Sequence, residues 1–378
     1  MRGLLLVLAT LLVGCAEPPT AGVDPAAPQE RAQADPRAPA QHAPQDSPED
    51  PPAPQARAGA RAQADPRALA EHDPNDSSED PPADAAPGDA APRLVILGSA
   101  QDGGLPHASC TCPHCQAAIR DPGRARAVAS VALLEGDLAH LVDATPDITA
   151  QLRRLAALRP ARPPGVDRSP LAGVLLTHAH IGHYLGLALL GFEAVHTQQL
   201  PVHASPRMLD LLAHNAPWEQ LVRLENITPR PLPGGASLRA GAVTIHAITV
   251  PHRDEYTDTL AFRFEGPTAR VLYLPDTDPW RRWEADPLPL FDDVDVALVD
   301  GSFYSLDELP GRDLEQIAHP LMTETMDLLA PRVAEGRLRA LFIHINHSNP
   351  ALDPDSAAAR SVRARGFELA RDGMTIPL

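Results

Sequence analysis

Gly173-Val174-Leu175-Leu176-Thr177-His178-Ala179-His180-Ile181-Gly182-His183 is the stretch whose reading decides the fold. An apolar run comes first, and three histidines follow within six residues. Such a run, ending in a polar cluster, reads as a buried strand that delivers its last residues to a site. Histidines spaced i, i+2 and i+5 cannot share one face of a helix, but a strand end turning into a loop can aim all three at one point. Neutral imidazole is the commonest protein ligand for zinc and related metals, so the stretch reads as one corner of a metal site.

Later strand ends offer the partners. Val250-Pro251-His252, Leu274-Pro275-Asp276 and Phe342-Ile343-His344 each close an apolar run with a metal-capable side chain. A lone strand-end His or Asp is ordinary; four such ends in one chain point to a site on one rim of a sheet. Working outward, strands are expected at 94–98, 128–134, 139–143, 243–250, 260–264, 271–274, 294–299 and 341–345. The second and third read as a pair joined by a Glu135-Gly136-Asp137 turn. Helices are expected at 148–158, capped by Asp147, and at 206–214, 320–329 and 355–365, while 184–190 is apolar with helical spacing. Paired strands followed by mixed strand–helix units fit an α/β sandwich, two packed sheets with helices outside.

Ser109-Cys110-Thr111-Cys112-Pro113-His114-Cys115 is the second strong motif. A disulfide suits an exported chain, but three thiols leave one over and the close spacing strains the bond. A zinc site of three thiolates and one histidine fits better. His114 is the nearest candidate, though it lies between two ligands; His347, three residues after His344, is the other.

These residues together resemble the metallo-β-lactamase superfamily, whose His-x-His-x-Asp-His motif stands here as His178-Ala179-His180-Ile181-Gly182-His183. The resemblance covers nearly all of 93–378 and implies an αββα sandwich of two mixed sheets flanked by helices. It also implies that His178, His180 and His252 bind a first metal, that Asp276 bridges to a second, and that His183 and His344 serve the second. Gly182 stands where the superfamily usually has Asp. Losing that carboxylate predicts tight binding at the first site and weak or absent binding at the second, unless Asp254, Asp258 or Asp278 substitutes. The Cys-x-Cys-x-x-Cys element with a late His-x-x-His resembles the phosphodiesterases of phosphonate catabolism, which implies a structural zinc on Cys110, Cys112, Cys115 and His347. Leu97-Gly98-Ser99-Ala100, Ala144-Thr145-Pro146-Asp147-Ile148 and Phe342-Ile343-His344-Ile345-Asn346 resemble the coenzyme PQQ synthesis protein B family. That family has a degraded histidine motif, whereas this chain keeps all three histidines, which points to a related chain with a different role.

The N-terminus has another character. After Arg2, the apolar run up to Val13 is too short to span a bilayer and fits the core of a signal peptide at 1–14. Leu12-Val13-Gly14-Cys15 resembles the lipobox of bacterial lipoproteins, which implies cleavage before Cys15 and its lipidation. Residues 15–92 are rich in Pro, Ala and Asp, and 31–53 recur as 61–83. With almost no large apolar side chains, this segment reads as a disordered tether. Residues 16–92 carry 15 acidic and 5 basic side chains, so they hold −10 of the formal charge of −17. The domain at 93–378 is only mildly acidic and has no basic stripe, which argues against nucleic acid as partner. The expected partners are a small-molecule substrate and, through the anchor, a membrane; the expected location is the outer membrane of a Gram-negative bacterium, facing the periplasm.

The function expected from these residues is a metal-dependent hydrolase using a metal-activated water on a small ester or phosphodiester, with zinc in the active site and iron or manganese as alternatives. Asp276 would steer the water and His183 would bind metal or act as general acid–base. Two other classes stay open: an iron-dependent oxidoreductase and a non-catalytic metal-binding lipoprotein. Arg253 would be an ordinary surface residue or face an anionic substrate, and Trp280 and Trp283 would line the pocket or pack at the surface.

Overall fold

The computed structural model describes residues 91–309, 311 and 313–378. The expected leader, Cys15 and the tether up to residue 90 lie outside the described residues. The first sheet takes β1 (Arg93–Gly98), β2 (Ser130–Glu135), β3 (Leu138–Val142), β4 (Gly173–Leu175), β5 (Leu200–Ala204) and β6 (Ile227–Pro231). The second takes β7 (Ser237–Ala240), β8 (Val243–Val250), β9 (Thr259–Glu265), β10 (Arg270–Leu274), β11 (Val296–Asp300), β12 (Arg339–Ile343) and β13 (Glu368–Leu369). The last strand, β14 (Thr375–Pro377), returns to the first sheet beside β1. Strand order is β14-β1-β2-β3-β4-β5-β6 in one sheet and β13-β12-β11-β10-β9-β8-β7 in the other. Both are mixed: β2 runs antiparallel to β1 and β3, whereas β4, β5 and β6 run parallel in succession, as do β10, β11 and β12.

Side-chain alternation explains how two sheets and their helices form layers. Leu94 and Ile96 of β1 point inward to meet Phe262, Phe264, Tyr273 and Leu298 of the other sheet. Val95 and Leu97 point outward, into a cluster with Ile148 and Leu155 of α2 (Ile148–Ala157) and Met208 and Leu212 of α4 (Pro206–His214). On the far side, Leu272, Leu274 and Val299 pack with Met322, Met326 and Leu329 of α6 (Met322–Ala334) and Val362 of α7 (Ala357–Ala364). Strands buried on both faces read as continuous apolar runs, and that is how Leu94–Leu97 and Val271–Leu274 were recognisable. The architecture is the αββα sandwich expected from the sequence.

The remaining helices are α1 (Pro113–Arg120), α3 (Ile181–Tyr184) and α5 (Trp218–Arg223). Some local expectations are corrected. Asp147 sits at the N-cap of α2, but its side chain makes no capping bond; its carboxylate accepts the Val128 amide at 2.8 Å and ties the helix start to the segment before β2. Residues 184–190 are α3's last residue followed by a 3-10 turn, and β5, β6 and α5 arise where no element was expected, because tertiary pairing overrides weak local patterns there. Trp280 and Trp283 pack on the outer face of the second sheet, and Trp280 donates to Thr325 Oγ1 at 2.9 Å.

Candidate metal centres

Parallel strands put their C-terminal ends on one rim, and the donors sit there. β4 is followed by Thr177 and His178, β8 by His252, β10 by Asp276 and β12 by His344. His178, His180 and His252 bring one nitrogen each within 4.8 Å of one another, with His178 Nε2 2.8 Å from His180 Nδ1. Asp276 Oδ2 lies 3.6 Å from His178 Nε2 and Oδ1 lies 3.8 Å from His252 Nε2. The same carboxylate reaches His183 Nε2 at 2.9 Å and His344 Nε2 at 3.3 Å, so Asp276 stands between two groups of histidines.

Geometry favours a shared ligand over hydrogen bonds among the donors. His183 Nε2, His252 Nε2 and Asp276 Oδ1 are buried yet hydrogen-bond to nothing among the described residues, despite their short separations. Buried polar atoms are ordinarily satisfied, so atoms that face a common point without bonding one another fit a cation at that point. The rings are aimed by their other nitrogens. Thr177 Oγ1 is 2.9 Å from His178 Nδ1, Asp143 Oδ2 is 2.8 Å from His183 Nδ1, and Ser302 Oγ is 3.1 Å from His344 Nδ1. A hydrogen bond on Nδ1 sets the tautomer that leaves Nε2 free to ligate. Asp143 and His344 hold left-handed backbone, with φ of 65° and 60°, a strain kept where function over-determines the conformation.

Burial and charge divide the histidines into two kinds. Burial lowers His252 to about 3 and holds His178 well below its ordinary value, which keeps both imidazoles neutral and able to ligate. His183 is opposite: burial would lower it, but Asp143, Asp102 and Asp276 outweigh that and hold it well above. For Asp276, burial raises the carboxyl, yet the positive field of His344 and the adjoining His183 ring leave it well below the usual carboxylate range. The rim therefore favours positive charge.

Four residues at this site were not singled out from the sequence. Asp102, in the loop after β1, lies 3.4 Å from both His183 Nε2 and His344 Nε2 through Oδ1. His319 lies 3.3 Å from Asp276 Oδ1, and its Nδ1 is 2.9 Å from Asp300 Oδ2. Burial would lower His319, but Asp300 prevails and pushes it up to about 9. Asp143 and Asp300 end or follow apolar strands, so the rule that found Asp276 would have found them; Asp102 and His319 come from irregular loops with no such signal.

The carboxylates proposed as substitutes for the one missing at Gly182 are elsewhere. Asp254 is exposed and lies 3.8 Å from Arg207, Asp258 accepts from Ser205, and Asp278 stands 3.8 Å from the outward Nδ1 of His252. Arg253 is half exposed, with Nη2 3.4 Å from His180 Nδ1. His183 is fully buried, a donor's position with no open face for proton transfer to substrate.

The sulfur centre is compact. His347 Nδ1 is 3.4, 3.6 and 3.8 Å from the sulfurs of Cys110, Cys112 and Cys115. With zinc–sulfur and zinc–nitrogen bonds of about 2.3 and 2.0 Å, a tetrahedron has an S–N edge of about 3.6 Å, so the four residues fit zinc. His114 is turned away and lies 3.0 Å from the His347 carbonyl. Cys112 caps α1, its sulfur accepting the Cys115 amide at 3.5 Å. Burial opposes ionisation of Cys112, but that amide holds it below the ordinary thiol range, while burial pushes Cys115 up to about 12. All three thiols are free.

The sequence profile described as "Beta-lactamase superfamily domain" matches residues 140–345. Coenzyme PQQ synthesis protein B of Methylobacterium sp. (strain 4-46) is 32% identical over 318 residues, covering 76% of this chain and 100% of that protein. The crystal structure of Zn(2+)-bound PqqB from Methylobacterium extorquens superposes with a TM-score of 0.65 at 26% identity, over 76% of this chain and 100% of that one. A diphosphatase from the PhnP family shares the fold, with a TM-score of 0.55 at 20% identity, over 76% of this chain and 97% of that one.

Proposed function

This chain belongs to the metallo-β-lactamase superfamily, with homologues named coenzyme PQQ synthesis protein B, and on that premise we propose that it is a metal-dependent hydrolase of a small ester or phosphodiester. The observation that carries this reading is the convergence of His178 Nε2, His180 Nδ1, His252 Nε2 and Asp276 on one buried point of the rim, with His319 beside it. A divalent metal bound there supplies Lewis-acid polarisation and lowers the pKa of water to about 7.

The chain's own residues do the rest. His178, His180 and His252 are kept neutral by burial and present lone pairs. Asp276 orients whatever lies between the two histidine groups, because its two oxygens face different neighbours. His319, whose Nδ1 lies 2.9 Å from Asp300 Oδ2 and 3.3 Å from Asp276 Oδ1, would act as general acid or as a further metal donor. Arg253, half exposed beside His180, suits an anionic group such as a phosphodiester. Cys110, Cys112, Cys115 and His347 would hold a structural zinc.

A second reading has the same donors hold iron for oxidative chemistry, since homologues named for coenzyme PQQ synthesis do not by themselves mark a hydrolase. Metal analysis of purified protein, with turnover on a phosphodiester and lactone panel and His180→Ala as control, decides between them. Zinc or manganese with turnover that His180→Ala abolishes is expected. Iron with oxygen-dependent turnover, or a metal-loaded protein inactive across the panel, would overturn the hydrolase reading.

A further inference from the structure

Within the histidine motif, Gly182 lacks the side chain that would complete a second metal site. Resting on the metal-hydrolase reading, we propose that the missing ligand has been transposed: Asp102, from the loop after β1, completes a second divalent-metal site with His183, His344 and Asp276. The evidence is spatial. A β-carbon built on Gly182 would lie 2.0 Å from Asp102 Oδ1, 2.7 Å from its Cγ and 2.9 Å from its Cα. The Asp102 carboxylate thus occupies the space that a side chain at 182 would need. Gly182 has no positive φ, so the backbone does not demand glycine there; the room taken by Asp102 does.

The donor set is complete in that arrangement. Asp102 Oδ1 is 3.4 Å from each of His183 Nε2 and His344 Nε2, and Asp276 Oδ2 is 2.9 and 3.3 Å from the same two atoms. Bonds of about 2.0–2.2 Å to nitrogen and oxygen give donor separations of about 3.0–3.5 Å, which these distances match. Among the described residues, the hydrogen bonds and ion pairs of the Asp102 side chain go only to those two histidines.

The loop is also held in place. Gln101 N donates to Ile345 O at 3.0 Å, and Gly104 N closes a turn on Gln101 O at 2.7 Å. Farther along, the same loop reaches Cys110 and Cys112, whose partner His347 lies three residues after His344. The sulfur centre therefore clamps together the two loops that deliver Asp102 and His344, and it positions the transposed ligand.

The test is metal stoichiometry at limiting free zinc, read by mass spectrometry on wild type, Asp102→Ala, Asp102→Asn and Gly182→Ala. The sulfur centre serves as an internal standard for folding. Three metals are expected in wild type. Asp102→Ala and Asp102→Asn are expected to keep two, with the third bound at least about 100-fold more weakly. Gly182→Ala, whose β-carbon would evict the carboxylate, is expected to lose the same metal. Three metals retained in the Asp102 variants would overturn the transposition, as would a wild type that binds two metals and is unchanged by Asp102→Ala. Failure of the hydrolase reading looks different: wild type and His180→Ala would then both hold only the sulfur-centre metal.

Discussion

Two centres share two loops and differ in almost everything else. The loop after β1 sends Asp102 to the rim and Cys110, Cys112 and Cys115 to the sulfur centre; the loop after β12 sends His344 to one and His347 to the other. The sulfur centre takes three of its four ligands from six consecutive residues, and its donors form a closed tetrahedral set. The rim centre gathers imidazoles and carboxylates from five separate segments, with His180 and Arg253 partly open to solvent. A local, closed set of soft ligands suits a staple, whereas a dispersed set with an open side suits chemistry. The fold uses the first to hold the loops that build the second.

The largest effect that would sharpen this contrast is at Asp276. Asp276→Asn is expected to lower kcat/KM by about 10³-fold, or about 4 kcal/mol of transition-state stabilisation, with little loss of the sulfur-centre metal. A variant within tenfold of wild type would remove Asp276 from the machinery and erase the contrast. Next is Cys112→Ser, which should act on stability. Losing one thiolate of a structural zinc site is expected to cost ~3 kcal/mol and lower Tm by roughly 6–12 °C. Activity per rim-loaded molecule should change less than for Asp276→Asn; equal losses would show that the sulfur centre is itself part of the chemistry.

The smallest effect concerns Glu308, which is bonded to the residue after His347. Glu308 accepts the Tyr304 amide at 2.8 Å and Ser348 Oγ at 3.3 Å, beside His347. Burial raises this carboxyl to about 7 despite those bonds. Because its folded value lies above the unfolded one, its stabilising contribution is full below about pH 4.5 and is lost as pH rises through about 7. Discounted for its partial exposure, the loss is ~1 kcal/mol. Melting curves should show that component in wild type and not in Glu308→Gln; identical pH profiles would mean that Glu308 ionises as freely as in the unfolded chain.

Read from residues alone, the rim donors His178, His252, Asp276 and His344 were legible because each closes an apolar run, and His180 and His183 because they cluster with His178; such signals are local. The three thiols were legible because they cluster within six residues. The β-strands of the core were legible because burial on both faces requires unbroken apolar runs. Asp102 and His319 were not, since irregular loops carry no periodicity and their residues gain meaning only from what they touch. Gly182 shows the divide most sharply. Its identity alone reads as a lost ligand, and only the packed structure reveals the carboxylate of Asp102 in its place. Which side chains can bind metal is written in the residue types and their spacing; which of them meet is decided by chain segments far apart in sequence and packed too closely for a second side chain to fit.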